Sequence, residues 1–348
     1  MANPYVVKVE DFILAFTSIL YEALPFIILG AVIAGILEEL LPQRLITRFL
    51  PRNPTPAIII GALLGIVFPM CECGIIPVMR RLLRKGVPLS CCVAYLLAGP
   101  IINVVVLWST YEAFSGTKSG SDVAGISYQM GSVWMVCLRA GLGFLVAVCT
   151  AHLVEWQYRK YGSKLLKPLA VPSGLPLLEE KDEEAPAEKR SLWQRLSNIS
   201  DTALHDFIDI TVFLIMGALL AAVTGLFLDE KKLAELSSEH AVLSIAFMMA
   251  LAVVLSLCSE ADAFVAASFR TLRPASKLAF LVLGPMLDIK LYLMYTRVFR
   301  PRLIYTIFLA VIVQVFVYSY ATHLLWEHYA PQWTSPSESV SVPASAAP

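Results

Sequence analysis

The sequence predicts an all-α polytopic membrane protein, and three observations support this prediction. Of the 348 residues, 57% are hydrophobic and only 16% are charged, and the mean hydropathy of +0.70 exceeds that of soluble domains. The apolar residues are collected in runs of about 20, the length that crosses ~30 Å of hydrocarbon. Finally, several runs are interrupted by Pro and Gly. The 27 basic and 27 acidic residues cancel, so nucleic-acid binding is not expected.

The long apolar runs predict about eight transmembrane helices. They cover residues 12–37, 58–79, 90–108, 130–153, 204–228, 241–264, 276–295 and 303–325. The expected organisation is a first transmembrane repeat over 1–154, a cytoplasmic linker with an interfacial helix over 155–203, a second transmembrane repeat over 204–328 and a disordered tail over 329–348. The distribution of Lys and Arg places the N-terminus, the central loop and the C-terminus on the cytoplasmic side.

An internal repeat becomes visible when the sequence is shifted by about 187 positions. The shift superposes Glu22 on Asp209, Cys71 on Cys258 and Cys73 on Glu260. With a two-residue gap, it also superposes the Gly-Pro-x-x-Asn run at 99–103 on the Gly-Pro-x-x-Asp run at 284–288. Four spans per half is an even number, so we expect two parallel four-helix repeats. Their pseudo-two-fold axis would lie along the membrane normal, with the site between them at mid-membrane.

Prolines and glycines interrupt helices where such a site is expected. Pro69 and Pro77 bracket the Cys-Glu-Cys-Gly run at 71–74, and Gly-Pro pairs occur at 99–100 and 284–285. Proline removes a backbone donor, and lipid cannot replace the lost hydrogen bond. Broken helices at mid-membrane therefore predict a cavity that is lined by polar groups.

Sulfur atoms are the first candidate ligands in that cavity. Thiolates are soft ligands that suit soft metals and metalloids, and Cys71 and Cys73 can share one ligand only on an irregular backbone. Cys258 in the other half would supply a third sulfur. The alternative is that these three residues are small packing residues beside a kink.

Ionisable residues inside the spans are the second group of candidates. Such residues are costly in lipid, face the bundle interior and usually mark a transport pathway. We expect proton coupling by four of the acidic residues, because burial favours the neutral form of a carboxyl group: Glu22, Asp209, Glu260 and Asp262. The alternative is that Arg139 and Lys290 form internal ion pairs with some of them. Asp288 and Lys290 are not expected to pair, because residues two apart on a helix point away from each other.

Asn103 and Asp288 follow the Gly-Pro pairs at the same offset and are candidate polar lining residues. No phosphate-binding loop, nucleophile elbow or His-Glu-x-x-His helix is present in the sequence, so neither ATP hydrolysis nor another enzymatic activity is expected. No cofactor and no bound metal are expected either.

Four stretches carry a resemblance to a known family: FPMCECGIIPVMRRLLRKGVP at 68–88, LAGPIIN at 97–103, LCSEAD at 257–262 and LGPMLD at 283–288. In these stretches the sequence resembles the predicted permease family that includes the trivalent organoarsenical efflux permeases (ArsP-like permeases). The resemblance implies a multi-pass permease of a bacterial-type inner membrane, which exports a small solute by proton antiport.

The expected function is therefore export of a small solute, either a trivalent organoarsenical or another soft, thiol-reactive species. The expected substrate-binding residues are Cys71, Glu72, Cys73, Asn103, Cys258 and Asp288. Two alternatives stay open: a membrane thiol-redox protein that uses the three cysteines, and a membrane subunit of a multi-component permease. The expected partners are the substrate and the lipid bilayer, with a homo-oligomer or a second permease subunit left open.

Overall fold

The structure is a computed structural model that describes residues 53–67, 70, 72–115, 132–166, 192–225, 241–269 and 272–329, together with parts of 10–36. These residues form helices with some short turns between them, and the parts of 10–36 that are described are helical as well. A single isolated bridge links Leu166 and Phe299. The predicted all-α class is thus confirmed for the described part of the chain.

The first half contains α1 (Pro54–Val67), α2 (Glu72–Arg84), α3 (Leu89–Ala98), α4 (Val104–Ser115) and α5 (Ser132–Tyr161). The second half contains α6 (Leu192–Gly225), α7 (Ala241–Leu255), α8 (Ala261–Ser268), α9 (Pro274–Leu283), α10 (Ile289–Val298) and α11 (Pro301–Tyr329). Short 3₁₀ turns follow α5 at Gly162–Leu165 and α9 at Gly284–Met286. The predicted tail beyond Tyr329 and most of the predicted linker lie outside the described residues.

The Gly-Pro pairs end helices as predicted, since α3 stops at Ala98 and α9 stops at Leu283. The irregular segment around 71–74 is shorter than predicted, because α2 already begins at Glu72 and includes Pro77. A further interruption follows α7, where Ser256 adopts a left-handed backbone with φ of 48°. No proline marks this interruption in the sequence.

The predicted span 58–79 is wrong as a single crossing, because α1 and α2 run in opposite directions. α1 runs parallel to α3: Gly61 packs on Cys91, and Gly65 lies beside Gly99. α2 runs antiparallel to α3, since Ile75 packs against Gly99 and a tight turn at 85–88 joins the two helices. The α1–α2 pair is called here the first hairpin, and its tip is taken as Glu72, where α2 begins.

The predicted span 241–264 likewise consists of two helices that double back. Ser244 near the start of α7 donates a hydrogen bond to Ser276 near the start of α9, so these two helices begin side by side. Asp262 at the start of α8 lies beside Gly284 at the end of α9. The α7–α8 pair is the second hairpin, with its tip at Ser259. Hydropathy predicts a crossing here because it measures apolar length and carries no information about direction.

The two long helices α5 and α11 are antiparallel, which contradicts the predicted parallel repeat. Arg302 at the start of α11 donates to Tyr161 at the end of α5, at 2.7 Å. One and three turns further along, Gln157 donates to Thr306 and Gln314 donates to Thr150. The hairpins explain the error. Each one enters and leaves at the same end of the molecule. This removes one of the four predicted crossings from each half and leaves an odd number, three, in each.

Contacts at the helix ends define two ends of the molecule. At the near end, where α5 finishes, Ser90 of α3 donates to Glu155 of α5 at 2.8 Å. At the far end, where α5 begins, the Lys277 ammonium of α9 lies 5.9 Å from the Phe114 ring of α4. α3 therefore starts at the near end and α9 at the far end. The first hairpin opens toward the near end and the second hairpin toward the far end.

Burial separates the central helices from the lipid-facing ones. Every residue of α3 and of α9 is buried, although each helix has only 10 residues. The longer α11 instead exposes apolar side chains along one side, including Leu309, Val313 and Val317. By length and composition, three helical stretches within the described residues can cross a membrane: Ser132–Tyr161, Pro274–Val298 and Pro301–Trp326. The protein is thus a multi-pass membrane protein whose short, broken helices are enclosed by long ones.

The predicted interfacial helix at 192–203 is not a separate element. α6 is one helix of 34 residues that runs from Leu192 to Gly225 and includes the predicted boundary at 203/204.

The close approach of α1 and α3 generates a stability prediction. A Cβ atom at Gly65 would lie 2.6 Å from the Gly99 Cα atom, and backbone cannot yield as a flexible side chain can. We expect Gly65→Ala to destabilise the protein by about 1–3 kcal/mol through overpacking, which thermal unfolding of the purified protein measures. Gly141→Ala on α5 is the control, because nothing lies within 4 Å of that position. Equal melting temperatures for both variants would contradict the predicted helix contact.

Candidate functional site

An ion pair between the two halves lies at the centre of the site. The Lys290 Nζ atom of α10 donates to Glu72 Oε1 of α2 at 3.0 Å. The side-chain exposures of Lys290 and Glu72 are 0% and 1%. Glu72 is the first residue of α2, so the pair joins the tip of the first hairpin to the second half. A buried pair of this kind holds its partners firmly, because removal of one leaves an uncompensated charge.

Asp288 is the second acidic partner of Lys290, which contradicts the expectation that these two residues do not pair. Asp288 Oδ2 lies 3.4 Å from the ammonium nitrogen. The expectation assumed a continuous helix, whereas Asp288 precedes α10 with extended backbone angles of φ −144° and ψ 177°. Its other oxygen, Oδ1, accepts from the Leu291 amide at 2.6 Å and caps the helix.

Asn103 has the same capping role in the first half. Its Oδ1 atom accepts from the Val106 amide at 2.8 Å, at the start of α4. Its side-chain nitrogen donates to the Gly99 carbonyl at 3.4 Å, across the helix break. The two residues that follow the Gly-Pro pairs are therefore N-caps of half-helices, which satisfies backbone amides that would otherwise be unpaired.

Arg139 of α5 is the second buried cation, with 0% exposure. It donates to Thr110 Oγ1 of α4 at 2.6 Å and to the Ser259 carbonyl at 2.8 Å. Ser259 is at the tip of the second hairpin, so Arg139 also bridges the two halves.

Three of the buried carboxylates have an oxygen atom without a hydrogen-bond partner among the described residues. They are Glu72 Oε2, Asp262 Oδ2 and Asp288 Oδ2. Glu260, which is half-buried, precedes α8 two residues before Asp262. The described centre thus combines four carboxyl groups with the two cations Lys290 and Arg139. An excess of acceptors over donors favours the uptake of a proton or of another positively charged group.

Of the ten predicted site residues, Glu72 and Asp288 meet at Lys290. Glu260 and Asp262 lie at the tip of the second hairpin, and Asn103 lies at the break before α4. Cys258 is also buried, with 4% exposure, one residue before Ser259. Cys71 and Glu22 lie outside the described residues, as do the side chains of Cys73 and Asp209. The sulfur ligation predicted for Cys71 and Cys73 therefore stays a prediction. Within the described residues, no group of three His, Cys, Asp or Glu side chains is placed to hold a metal ion.

The sequence analysis did not identify the two residues that accept hydrogen bonds from Arg139, namely Thr110 and Ser259. Thr110 is a lone hydroxyl on an apolar helix, and Ser259 takes part only through its backbone carbonyl. The repeat does contain a signal for Ser259, because a shift of 187 positions superposes it on Glu72.

A multi-pass protein with half-helices and a buried charged centre has the features of a membrane permease. The chain belongs to the ArsP-like family described as "Predicted permease", whose model matches residues 8–324.

The UPF0718 protein YcgR of Bacillus subtilis is similar to this chain. It is 37% identical over 302 residues, which cover 86% of the chain and 92% of the relative. A Streptococcus mutans protein named "Putative two-component membrane permease complex subunit" is 33% identical over 291 residues, which cover 83% of the chain and 87% of that relative. No solved structure matches the chain.

The double role of Asp288 generates a second prediction. We expect Asp288→Asn to keep the helix cap and Asp288→Ala to lose it, because Asn and Asp cap helices equally well. The Ala variant should be the less stable of the two by about 1 kcal/mol, as measured by thermal unfolding. Asn103→Ala is the matched change in the other half. Equal stability of the Asn and Ala variants would show that the cap contributes nothing.

Proposed function

We propose that this protein is a carrier that moves a small solute by alternating access between two inverted halves. The observation that carries the proposal is the Glu72–Lys290 pair, in which a hairpin tip of one half meets a half-helix of the other at 3.0 Å. Buried ionisable groups between repeats are typical of transport sites. The two hairpins open toward opposite ends, so each is suited to gate one side of the membrane.

The near end faces the cytoplasm in this proposal. It carries most of the described basic residues: Arg80, Arg81, Arg84, Lys85, Arg159, Lys160, Arg297, Arg300 and Arg302. Among the described residues, Arg273 and Lys277 are the basic residues of the far end. Positively charged loops stay in the cytoplasm. The central linker would then be cytoplasmic, as the sequence predicts, whereas the end of α11 at Tyr329 would lie on the opposite side.

The proposed substrate is a soft, thiol-reactive species such as a trivalent organoarsenical. Support comes from Cys258, which is buried one residue before the tip of the second hairpin. Cys71 and Cys73 would supply the other sulfurs at the first tip. The proposed direction is export.

A sulfur substitution tests the proposed substrate. We expect Cys258→Ser to raise the half-saturating concentration of trivalent methylarsenite about tenfold, equivalent to about 1.4 kcal/mol, because a hydroxyl is a poor ligand for a soft metalloid. The measurement is uptake into everted membrane vesicles. Cys137→Ser is the control, because Cys137 is exposed on α5. An unchanged half-saturating concentration in Cys258→Ser would show that the Cys258 sulfur does not bind the substrate.

The proposed coupling is proton antiport through the buried carboxyl groups, with Asp262 as the test case. Asp262 is buried at the start of α8, beside Gly284, and one of its oxygens has no hydrogen-bond partner among the described residues. We expect Asp262→Asn to lose accumulation driven by a proton gradient while it retains exchange of substrate across the membrane. Glu155→Gln at the near end is the control. Gradient-driven accumulation by Asp262→Asn would exclude this residue as the coupling group.

A second candidate function is that of a membrane subunit in a permease complex, which the name of the Streptococcus mutans relative favours. Purified protein in liposomes distinguishes the two functions. Transport by this chain alone supports the carrier, and transport that requires a second chain supports the subunit.

A further inference from the structure

Each hairpin tip is bonded to a buried cation that belongs to the opposite half of the protein. Lys290 of the second half bonds Glu72 at the tip of the first hairpin, at 3.0 Å. Arg139 of the first half bonds the Ser259 carbonyl at the tip of the second hairpin, at 2.8 Å. Glu72 and Ser259 are 187 positions apart, as are Pro54 and Ala241 at the starts of α1 and α7. The two cations therefore bind equivalent positions.

Each cation also has an acceptor within its own half. Lys290 has Asp288 Oδ2 at 3.4 Å, which is fixed at the start of the same helix. Arg139 has Thr110 Oγ1 at 2.6 Å, on the neighbouring helix α4. Withdrawal of a hairpin thus leaves neither cation without a partner. This matters because a buried charge with no partner is strongly unfavourable.

We propose that Lys290 and Arg139 are positioning residues, each of which holds the hairpin of the opposite half closed. When a hairpin moves, its cation loses the hairpin contact and keeps the contact within its own half. This inference rests on the proposed alternating-access function, because it assigns the contacts that break when each gate opens. It makes the stability of each hairpin depend on a residue that lies far from it in the sequence.

Hydrogen–deuterium exchange on the full-length protein in lipid nanodiscs tests this arrangement without any substrate. We expect Lys290→Gln to speed amide exchange in α2 by about tenfold or more and to leave α8 unchanged. Arg139→Gln should do the reverse: amide exchange becomes faster in α8 and stays unchanged in α2. Lys290→Arg and Arg139→Lys should retain most of the protection, because each keeps a cation at the hairpin tip.

Arg302→Gln is the matched control, since Arg302 is a cation at the near end that contacts Tyr161 and no hairpin tip. It should change exchange in neither α2 nor α8. Equal acceleration of both hairpins by Lys290→Gln, or acceleration confined to its own helix α10, would overturn the proposal. No acceleration would overturn it as well.

A second variant covers the case in which Lys290→Gln leaves Glu72 buried without a cation and the protein does not fold. The double variant Glu72→Gln with Lys290→Gln replaces the ion pair by two neutral amides. We expect it to fold and to show faster exchange in α2 than the wild-type protein. Wild-type exchange in this variant would overturn the proposal. Failure of the transport assays alone would contradict the proposed function, whereas the exchange result tests the hairpin contacts by themselves.

Discussion

The need to satisfy the backbone at helix ends inside a bilayer determines how the rest of this structure is arranged. A helix that stops at mid-membrane leaves amide and carbonyl groups that lipid cannot bond. Asn103 and Asp288 cap two of the half-helices, and Arg139 takes the carbonyl of Ser259 at a third interruption. These groups are polar or charged and must themselves be shielded from lipid. Full burial of α3 and α9 behind the long helices meets that requirement.

The charged centre follows from the same constraint. Asp288 supplies one oxygen to the cap of α10 and turns the other toward Lys290, so one side chain serves both the helix end and the ion pair. Lys290 in turn reaches Glu72 in the other half. The cost of burying these charges is offset only while the partners stay close together. The centre therefore couples the position of a hairpin to the position of the opposite half.

The sequence predicts the helix breaks well where proline and glycine cause them, as at 99–100 and 284–285. It misses the break at Ser256, where the left-handed backbone carries no residue signal. It also misplaces Pro77, which lies inside α2 and removes one backbone hydrogen bond there without ending the helix. The prediction that Asp288 and Lys290 do not pair was wrong, because helical spacing was applied to a residue that caps the helix instead of continuing it.

The direction of the helices could not be predicted from the hydropathy of the sequence. An apolar run of 58–79 has the same hydropathy whether the chain crosses the bilayer or turns back between α1 and α2. That ambiguity changes the predicted symmetry, because one lost crossing per half converts a parallel repeat into an antiparallel one. Contacts such as those of Arg302 with Tyr161 and Gln314 with Thr150 resolve it. The two hairpins open toward opposite ends of the molecule, and the cations Lys290 and Arg139 link each hairpin to the half that it does not belong to.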